Sequence, residues 1–146
     1  MRFLGIDYGT RRIGLATGDE LGIATPISAL VEADAAARRR SLAQVVKTRR
    51  IQEIVLGLPL NMDGSAGFKA QETQAFADEL RAEFGLPVHL VDERLTSHLV
   101  ESGMNQKQLR EIRGKGIIDS RAAAVILQDY LDQRFPPGWP APVKPD

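Results

Sequence analysis

Acidic residues stand at three separate points of the sequence, each beside an apolar segment. Asp7 follows FLGI in RFLGIDYGTRRIGLATGD, Asp92 and Glu93 end PVHLVDE, and Asp119 lies in GIIDSRAAAVILQ. The chain has no cysteine, and its two histidines lack the spacing of a metal-ligand pair. Any metal site in this chain should therefore depend on oxygen ligands.

Three carboxylates that converge have a specific chemical use. Mg²⁺ prefers hard oxygen ligands, and two such ions about 3.5 to 4 Å apart can position an attacking water and the leaving oxygen of a phosphodiester. Carboxylates so close to one another repel and raise their pKa values unless a cation neutralises them. We therefore expect two Mg²⁺ or Mn²⁺ ions if the fold brings the three points together.

Each acid also has a purely structural interpretation. Asp7 could satisfy backbone N–H groups of the YGTR turn, and Asp119 could complement a helix dipole. Asp92 and Glu93 could be solvated loop charges near Arg94. Residue types alone leave these interpretations open.

The elements that would position these acids can be read from periodicity. Residues 2–7, 11–19 and 22–30 read as three strands, with Pro26 favouring a sheet edge for the third. Residues 33–50 read as a helix with Leu42, Val45 and Val46 inward and Arg38, Arg39 and Arg40 outward. EIVLGL and PVHLVD read as two further strands, and Phe68, Phe76, Leu80 and Phe84 form the apolar stripe of the helix between them. Further helices are expected from about Thr96, from about Gln106 and from Ile118 to Phe135.

This order of elements predicts an α/β fold. Right-handed crossovers give a five-stranded mixed sheet of order 3-2-1-4-5, with strand 2 antiparallel and helices on its faces. Ligands bind beyond the carboxyl ends of the parallel strands in such sheets. Asp7 and the pair Asp92 and Glu93 would meet at that edge. The small residues Ala122, Ala123 and Ala124 would let the last helix lie close to the sheet and carry Asp119 towards them.

Composition is that of one ordinary domain. The chain has 146 residues, 43% hydrophobic and 26% charged, and we expect a single domain over residues 1–134 with a proline-rich, flexible tail over 135–146. We see no signal peptide or membrane span and expect a cytoplasmic protein that does not bind membranes. The 19 basic and 19 acidic residues balance, but Lys107, Arg110, Arg113, Lys115 and Arg121 make one segment basic.

Four blocks of the sequence resemble a known family. GIDYGTRRIGLATGD, GLPLNMDGS, VDERLTS and KGIIDSRAAAVILQ are similar, in order and spacing, to the signature blocks of the YqgF/RuvX family, over about Phe3 to Tyr130. Its members have a ribonuclease-H-like fold and are described as Holliday junction resolvases or as nucleases that process the 5′ end of pre-16S rRNA. The resemblance implies an acidic triad of Asp7, Glu93 and Asp119, and so favours Glu93 over Asp92. The stretch HLVESGMNQKQ is less typical of the family.

Other residues suit phosphate binding. Arg11 and Arg12 follow the YGT turn, where a guanidinium could reach a phosphate or form a salt bridge. Asn61, Gly64 and Ser65 lie between a strand and a helix N-terminus, where backbone N–H groups favour anions, although Asp63-Gly64 is also a good turn. Arg113 and Lys115 belong to the basic segment and could follow a nucleic-acid backbone. We therefore expect a nucleic-acid partner, either pre-rRNA, within ribosomal precursor particles, or branched DNA.

Two other functional classes stay open at this point. DYGTRRIGLA also resembles the phosphate-binding hairpin of the sugar-kinase, Hsp70 and actin ATPases, but those proteins need two such domains, and this chain has no Walker A sequence. A non-catalytic module that binds RNA or an assembly partner is the third class. Oligomeric state is open between a monomer and a homodimer, because a junction resolvase would need two-fold symmetry to cut both strands.

Overall fold

A five-stranded mixed sheet forms the centre of the computed structural model, which describes residues 1–9, 11–95 and 120–136. The strands are β1 (Arg2–Tyr8), β2 (Ile13–Asp19), β3 (Thr25–Leu30), β4 (Glu53–Leu58) and β5 (Val88–Asp92). The helices are α1 (Ala35–Thr48), α2 (Phe68–Phe84) and α3 (Arg121–Arg134), and a 3₁₀ turn covers Glu93–Leu95. Within the described ranges, no helix is long and apolar enough to cross a membrane.

The strand order is β3-β2-β1-β4-β5, which confirms the predicted topology and the edge position of Pro26. β1 pairs with β2 antiparallel, whereas β4 pairs with both β1 and β5 in parallel. The carboxyl ends of the three parallel strands therefore lie together along one side of the sheet, which we call the site edge. Their amino ends lie along the opposite side, which we call the far edge. Ile6 is in register with Leu56, and Gly57 with Val91, so Asp7 comes level with Gly57 and Val91, and Glu93 follows two residues beyond that row.

Alternating side chains of β1 divide the core into two layers. Leu4 and Ile6 face α1 and α2, where they pack with Leu42, Phe76 and Leu80, among others. Phe3 faces the other way, towards α3, and packs with Ala123, Ile126, Leu127 and Leu131. Since side chains alternate along a strand, Asp7 lies on the same face of β1 as Phe3 and Gly5. The predicted first acid is therefore on the α3 side of the sheet.

α3 lies unusually close to β1 because Gly5 has no side chain. A Cβ at Gly5 would stand 2.7 Å from the Cβ of Leu127 and 2.9 Å from the carbonyl oxygen of Ala123. Ala123 is fully buried, in agreement with the prediction that small residues bring this helix onto the sheet. The helix starts near the site edge, where the Ser120 hydroxyl accepts a buried hydrogen bond of 3.0 Å from the Leu15 N–H, and Arg134 ends it at the far edge beside Glu53.

Two side-chain predictions were wrong. Arg38 is 9% exposed and not outward, because its guanidinium turns back to donate to the carbonyl oxygens of Glu32 and Ala33. Phe68 is 75% exposed and not part of the core stripe, because α2 begins at this residue and its buried residues start only at Ala70. The helices predicted from Thr96 and Gln106, and residues 137–146 of the predicted tail, lie outside the described residues.

Candidate active site

Asp7 lies next to the tight turn between β1 and β2. Gly9 closes this turn by donating its N–H to the carbonyl oxygen of Arg12 at 2.9 Å. A Cβ at Gly9 would be 2.6 Å from that oxygen, so only glycine permits the approach. The turn is thus closed by backbone atoms, and the Asp7 carboxylate is directed to another partner, the side chain of Glu93.

Glu93 reaches Asp7 by crossing the end of β4 at Gly57. A Cβ at Gly57 would lie 2.5 Å from Oε1 of Glu93 and 2.5 Å from Cδ1 of Ile126. The missing side chain therefore creates the space that the Glu93 carboxyl group occupies, between β4 and α3. Glu93 and Asp7 are joined by a side-chain hydrogen bond across that space.

The two carboxyl groups share a proton. Burial raises the pKa of Glu93, the negative charge of Asp7 and their hydrogen bond raise it further, and it reaches about 7. Burial also raises the pKa of Asp7, although the hydrogen bond from Glu93 opposes this. From the ordinary carboxyl range up to about pH 7 the pair therefore holds one proton, which Glu93 donates to Asp7.

Asp92, the neighbour of Glu93, has a different role. Its carboxylate accepts hydrogen bonds from Nε and Nη2 of Arg94 at 2.7 to 3.1 Å, and these bonds lower the pKa of Asp92. Arg94 also donates to the carbonyl oxygen of Met62 at 3.2 Å. The Asp92–Arg94 pair thus ties the loop after β4 to the end of β5. The structure brings Glu93, and not Asp92, to Asp7.

A cavity of about 300 Å³ opens beside the two acids. Its lining residues come from the ends of β1 and β4, the start of α2 and the 3₁₀ turn: Asp7, Tyr8, Gly9, Pro59, Lys69, Glu72, Thr73 and Glu93. One wall is fixed by the Tyr8 ring, which stacks on Phe76 with centroids 4.1 Å apart. The cavity can admit a phosphodiester group next to the carboxylates.

Lys69, Glu72 and Thr73 are cavity residues that the sequence reasoning missed. The Lys69 ammonium is close enough to Glu93 to lower the pKa of that carboxyl group, against the larger effects that raise it. The three residues have helical spacing, and α2 follows β4, so this first turn had to lie at the site edge. That topological argument could have identified them, whereas their residue types alone could not.

The predicted phosphate-binding residues lie in two places around the site. Arg11 and Arg12 are exposed on the β1–β2 turn. The loop of Asn61, Gly64 and Ser65 is closed by its own hydrogen bonds, including Asn61 N–H to the Ser65 carbonyl oxygen at 2.9 Å, and it does not line the cavity. Gly64 adopts a positive φ of 88°, as its turn requires.

Arg113, Lys115, His98 and the third predicted acid, Asp119, lie outside the described residues. Ser120, which follows Asp119 in the sequence, is fully buried and anchored on β2. His89 is at the far edge, where its Nε2 lies 2.7 Å from Oε1 of Glu53.

The chemistry of the pair fits a divalent cation. Within residues 1–9, 11–95 and 120–136, no group of three or more metal-ligating side chains is assembled. Asp7 and Glu93 are two hard oxygen donors, partly buried and carrying a proton that a cation would displace. Such a pair, short of one further ligand, suits Mg²⁺ or Mn²⁺ better than a soft metal.

A mixed sheet of this order, with helices on both faces and carboxylates at the carboxyl ends of β1 and β5, defines the ribonuclease-H-like class. Two solved structures have this fold: RuvC of T. thermophilus in complex with a Holliday junction substrate, and the fowlpox virus Holliday junction resolvase. The TM-scores are 0.55 and 0.56, with identities of 17% and 10%, and coverage is 93% and 92% of this chain and 96% and 99% of those chains.

Within that class, the chain belongs to the RuvX family. The family model, described as Holliday junction resolvase, matches residues 1–133. A protein of Opitutus terrae with the name "Putative pre-16S rRNA nuclease" is 60% identical over 145 residues, which are 99% of this chain and 100% of the relative. A protein of the same name from Anaeromyxobacter sp. is 43% identical over 137 residues, which are 93% of this chain and 100% of the relative.

Proposed function

We propose that the protein is a divalent-metal-dependent nuclease that hydrolyses phosphodiester bonds and processes the 5′ end of pre-16S rRNA. The observation that carries this proposal is the proton-sharing pair of Asp7 and Glu93 beside a cavity of about 300 Å³. A desolvated pair of acids costs stability, and such strained sites are typical of catalysis. The names of full-length relatives support rRNA as the substrate.

In this proposal Asp7, Glu93 and Asp119 would hold two ions, either Mg²⁺ or Mn²⁺. When bound, the ions neutralise the charge of the phosphate and activate water for in-line attack. Asp7 and Glu93 release their shared proton as they bind the cation. The Lys69 ammonium attracts the phosphate into the cavity and offsets the negative charge of Glu93.

Residues around the cavity would hold the flanking phosphates. Arg11 and Arg12 project from the β1–β2 turn, and the loop of Asn61, Gly64 and Ser65 is held beside β5 by Arg94. We propose the same role for Arg113 and Lys115. These contacts go to the backbone and not to base edges, so they attract substrate without reading its sequence.

Cleavage of Holliday junctions is the second candidate function, and the description of the family model favours it. The same acids would then act on branched DNA, and a symmetric homodimer would place two sites on one junction. A monomer in solution that cleaves RNA would support rRNA processing in the cytoplasm, in contact with ribosomal precursor particles. The ATP-binding and non-catalytic alternatives require no role for Glu93.

A cleavage assay on three substrates tests the proposal: a four-way DNA junction, single-stranded RNA and a pre-16S precursor, each with Mn²⁺ or with chelator. We expect cleavage of the precursor by the wild type, and a loss of about a hundredfold or more in Asp7→Asn, because removing a metal ligand forfeits several kcal/mol of transition-state stabilisation. Asp78→Asn makes the same change on the exposed face of α2 and should leave cleavage unchanged. Cleavage that survives chelation or Asp7→Asn would exclude this mechanism.

A further inference from the structure

We propose that the far edge of the sheet carries a second nucleic-acid-binding surface, formed where the C-terminal end of α1 meets the start of β1. We call it the far-edge patch and define it by Arg2, Lys47, Arg49 and Arg50. The proposal deepens the proposed function, on which it rests: the patch would hold the backbone of an RNA duplex whose other end reaches the acids at the site edge.

The end of α1 has the backbone hydrogen bonds of a Schellman motif. Ile51 donates its N–H to the Val46 carbonyl oxygen at 3.0 Å, and Arg50 donates to the Lys47 carbonyl oxygen at 3.2 Å. Ile51 is 6% exposed and anchors the motif in the core. This motif turns the chain sharply, so the side chains of Arg49 and Arg50 emerge at a fixed place.

Arg50 occupies the position of that motif which normally belongs to glycine. Its φ is 54°, and it is the one non-glycine residue with a positive φ in the described part of the chain. A side chain in the left-handed region is strained, and glycine would relieve the strain. An arginine held at a glycine position indicates that its charge has a use there, because strained residues concentrate at functional sites.

Arg2 joins the patch from the neighbouring strand. Its guanidinium nitrogen Nη1 donates to the carbonyl oxygen of Arg49 at 3.1 Å, and its backbone N–H donates to Oε1 of Gln52 at 3.0 Å. Arg2 and Arg49 line a cavity of about 250 Å³, and Thr17 and Asp19 line it as well. The Arg2 guanidinium, held by the Arg49 carbonyl oxygen beside this cavity, offers a polar place for a phosphate.

The charges of the patch are not neutralised within the fold. Among the described residues, no carboxylate lies within salt-bridge distance of its four cations, whereas Arg39, Arg81, Arg94 and Arg134 all have such partners. Glu20, which is close in sequence to Asp19, is paired with the N-terminal ammonium at 2.6 Å. Asp19 is the one acid that borders the cavity, so the patch keeps a positive excess.

The helix dipole explains only part of this arrangement. A cation in the last turn of a helix, such as Lys47, stabilises the helix end. Arg2 also caps this helix end through the Arg49 carbonyl oxygen, but Arg50 lies beyond the helix, so the dipole gives no reason for its charge. A polyanion that contacts all four residues would explain why these cations lie together. RNA phosphates are the polyanion that the proposed function brings to this protein.

The distance between patch and acids suits a duplex. Five residues of β1 separate Arg2 from Asp7, which corresponds to about 17 Å at roughly 3.3 Å per residue. That is the length of a short stretch of an A-form RNA stem. An RNA stem lying across the protein could therefore touch the patch while its single-stranded extension enters the cavity.

Binding of an RNA hairpin with a single-stranded 5′ extension, measured by fluorescence anisotropy at several salt concentrations, tests the patch. Arg49→Gln with Arg50→Gln should weaken binding about tenfold at moderate salt and reduce the slope of log K against log salt by about 1.8, or 0.9 for each lost contact. The matched control, Arg49→Lys with Arg50→Lys, keeps the charge and should keep the slope. A DNA duplex of the same sequence serves as a second probe of the same contacts.

Arg50→Gly separates binding from folding. This variant relieves the left-handed strain, so its unfolding midpoint should equal or exceed that of the wild type, while its RNA affinity falls. Unchanged affinity and salt slope in Arg50→Gly and in the double glutamine variant would overturn the proposal, even if the wild type cleaves RNA. If the wild type cleaves no substrate but binds RNA in a way that depends on the patch, the proposed nuclease function is refuted and the proposed binding surface is supported.

Discussion

Replacing Glu93 by glutamine should stabilise the metal-free protein while abolishing its activity. The Glu93 carboxyl group holds a proton up to about pH 7 and donates it to Asp7. A glutamine amide can donate the same hydrogen bond from Nε2 without a proton that titrates. The variant therefore keeps the contact and removes the repulsion between two buried negative charges.

The pKa of Glu93 sets the size and sign of the effect. Its value rises from 4.5 to about 7 on folding. The folded state thus binds a proton that the unfolded state has already lost, so the free energy of unfolding falls as pH rises from about 4.5 to 7 and is constant above. Each pKa unit corresponds to about 1.4 kcal/mol, so the shift of the Glu93 pKa gives an upper limit of about 3.5 kcal/mol. Because Glu93 is partly exposed and shares its proton with Asp7, we expect about 1 to 3 kcal/mol.

Urea or thermal unfolding in the presence of a chelator, between pH 4.5 and 8.5, measures this difference. At pH 8 Glu93→Gln should unfold roughly 3 to 10 °C above the wild type, and near pH 4.5 the two should coincide. Glu72→Gln makes the same replacement in the same cavity and should preserve the pH dependence of the wild type. If Glu93→Gln is no more stable than the wild type at pH 8, the two acids do not form the desolvated pair described above.

Three further predictions concern the same site and its supports. Mn²⁺ affinity, measured by calorimetry, should rise about tenfold per pH unit below pH 7 and level off above, since the cation displaces the shared proton; a flat profile would contradict this. Gly57→Ala should expel the Glu93 carboxyl group, weaken Mn²⁺ binding and lower the free energy of unfolding by about 1 to 3 kcal/mol. A Mn²⁺ affinity equal to that of the wild type would refute the close approach of Glu93 to Gly57. Ser120→Ala leaves the Leu15 N–H without its acceptor and should lower the free energy of unfolding, measured in urea, by about 1 to 3 kcal/mol. Ser120→Thr keeps the hydroxyl group and should recover most of that loss if its extra methyl group fits.

The sheet and the position of the acids were predictable because both follow from local patterns and one topological rule. Apolar segments of five to seven residues mark the strands, and right-handed crossovers fix their order. The residues that follow β1 and β5 must then meet at one edge. The meeting of Asp7 with the acidic pair Asp92 and Glu93 required no knowledge of packing beyond that.

Side-chain direction was less predictable because it depends on contacts that periodicity does not contain. Arg38 was expected in solvent but is buried, since two carbonyl oxygens before α1 accept its guanidinium. Phe68 matched the apolar stripe of α2 in spacing and is nevertheless exposed, since it precedes the part of the helix that packs on β4. Helical periodicity gives the face of a residue but not how far the core extends along the helix.

Choosing between Asp92 and Glu93 needed either the family resemblance or the structure, because both acids follow the same strand. One feature of the sequence does contain the answer once the sheet is known. Gly57 interrupts the apolar strand EIVLGL on the face that meets α3, and a glycine inside a strand signals that another group approaches closely. Asp92 ends β5 in register with Leu58, whereas Glu93 comes one residue later and fills the space that Gly57 leaves. The glycine is thus as much a determinant of the acid pair as the acids themselves, and a search for sites of this kind should look for the missing side chain as well as for the charges.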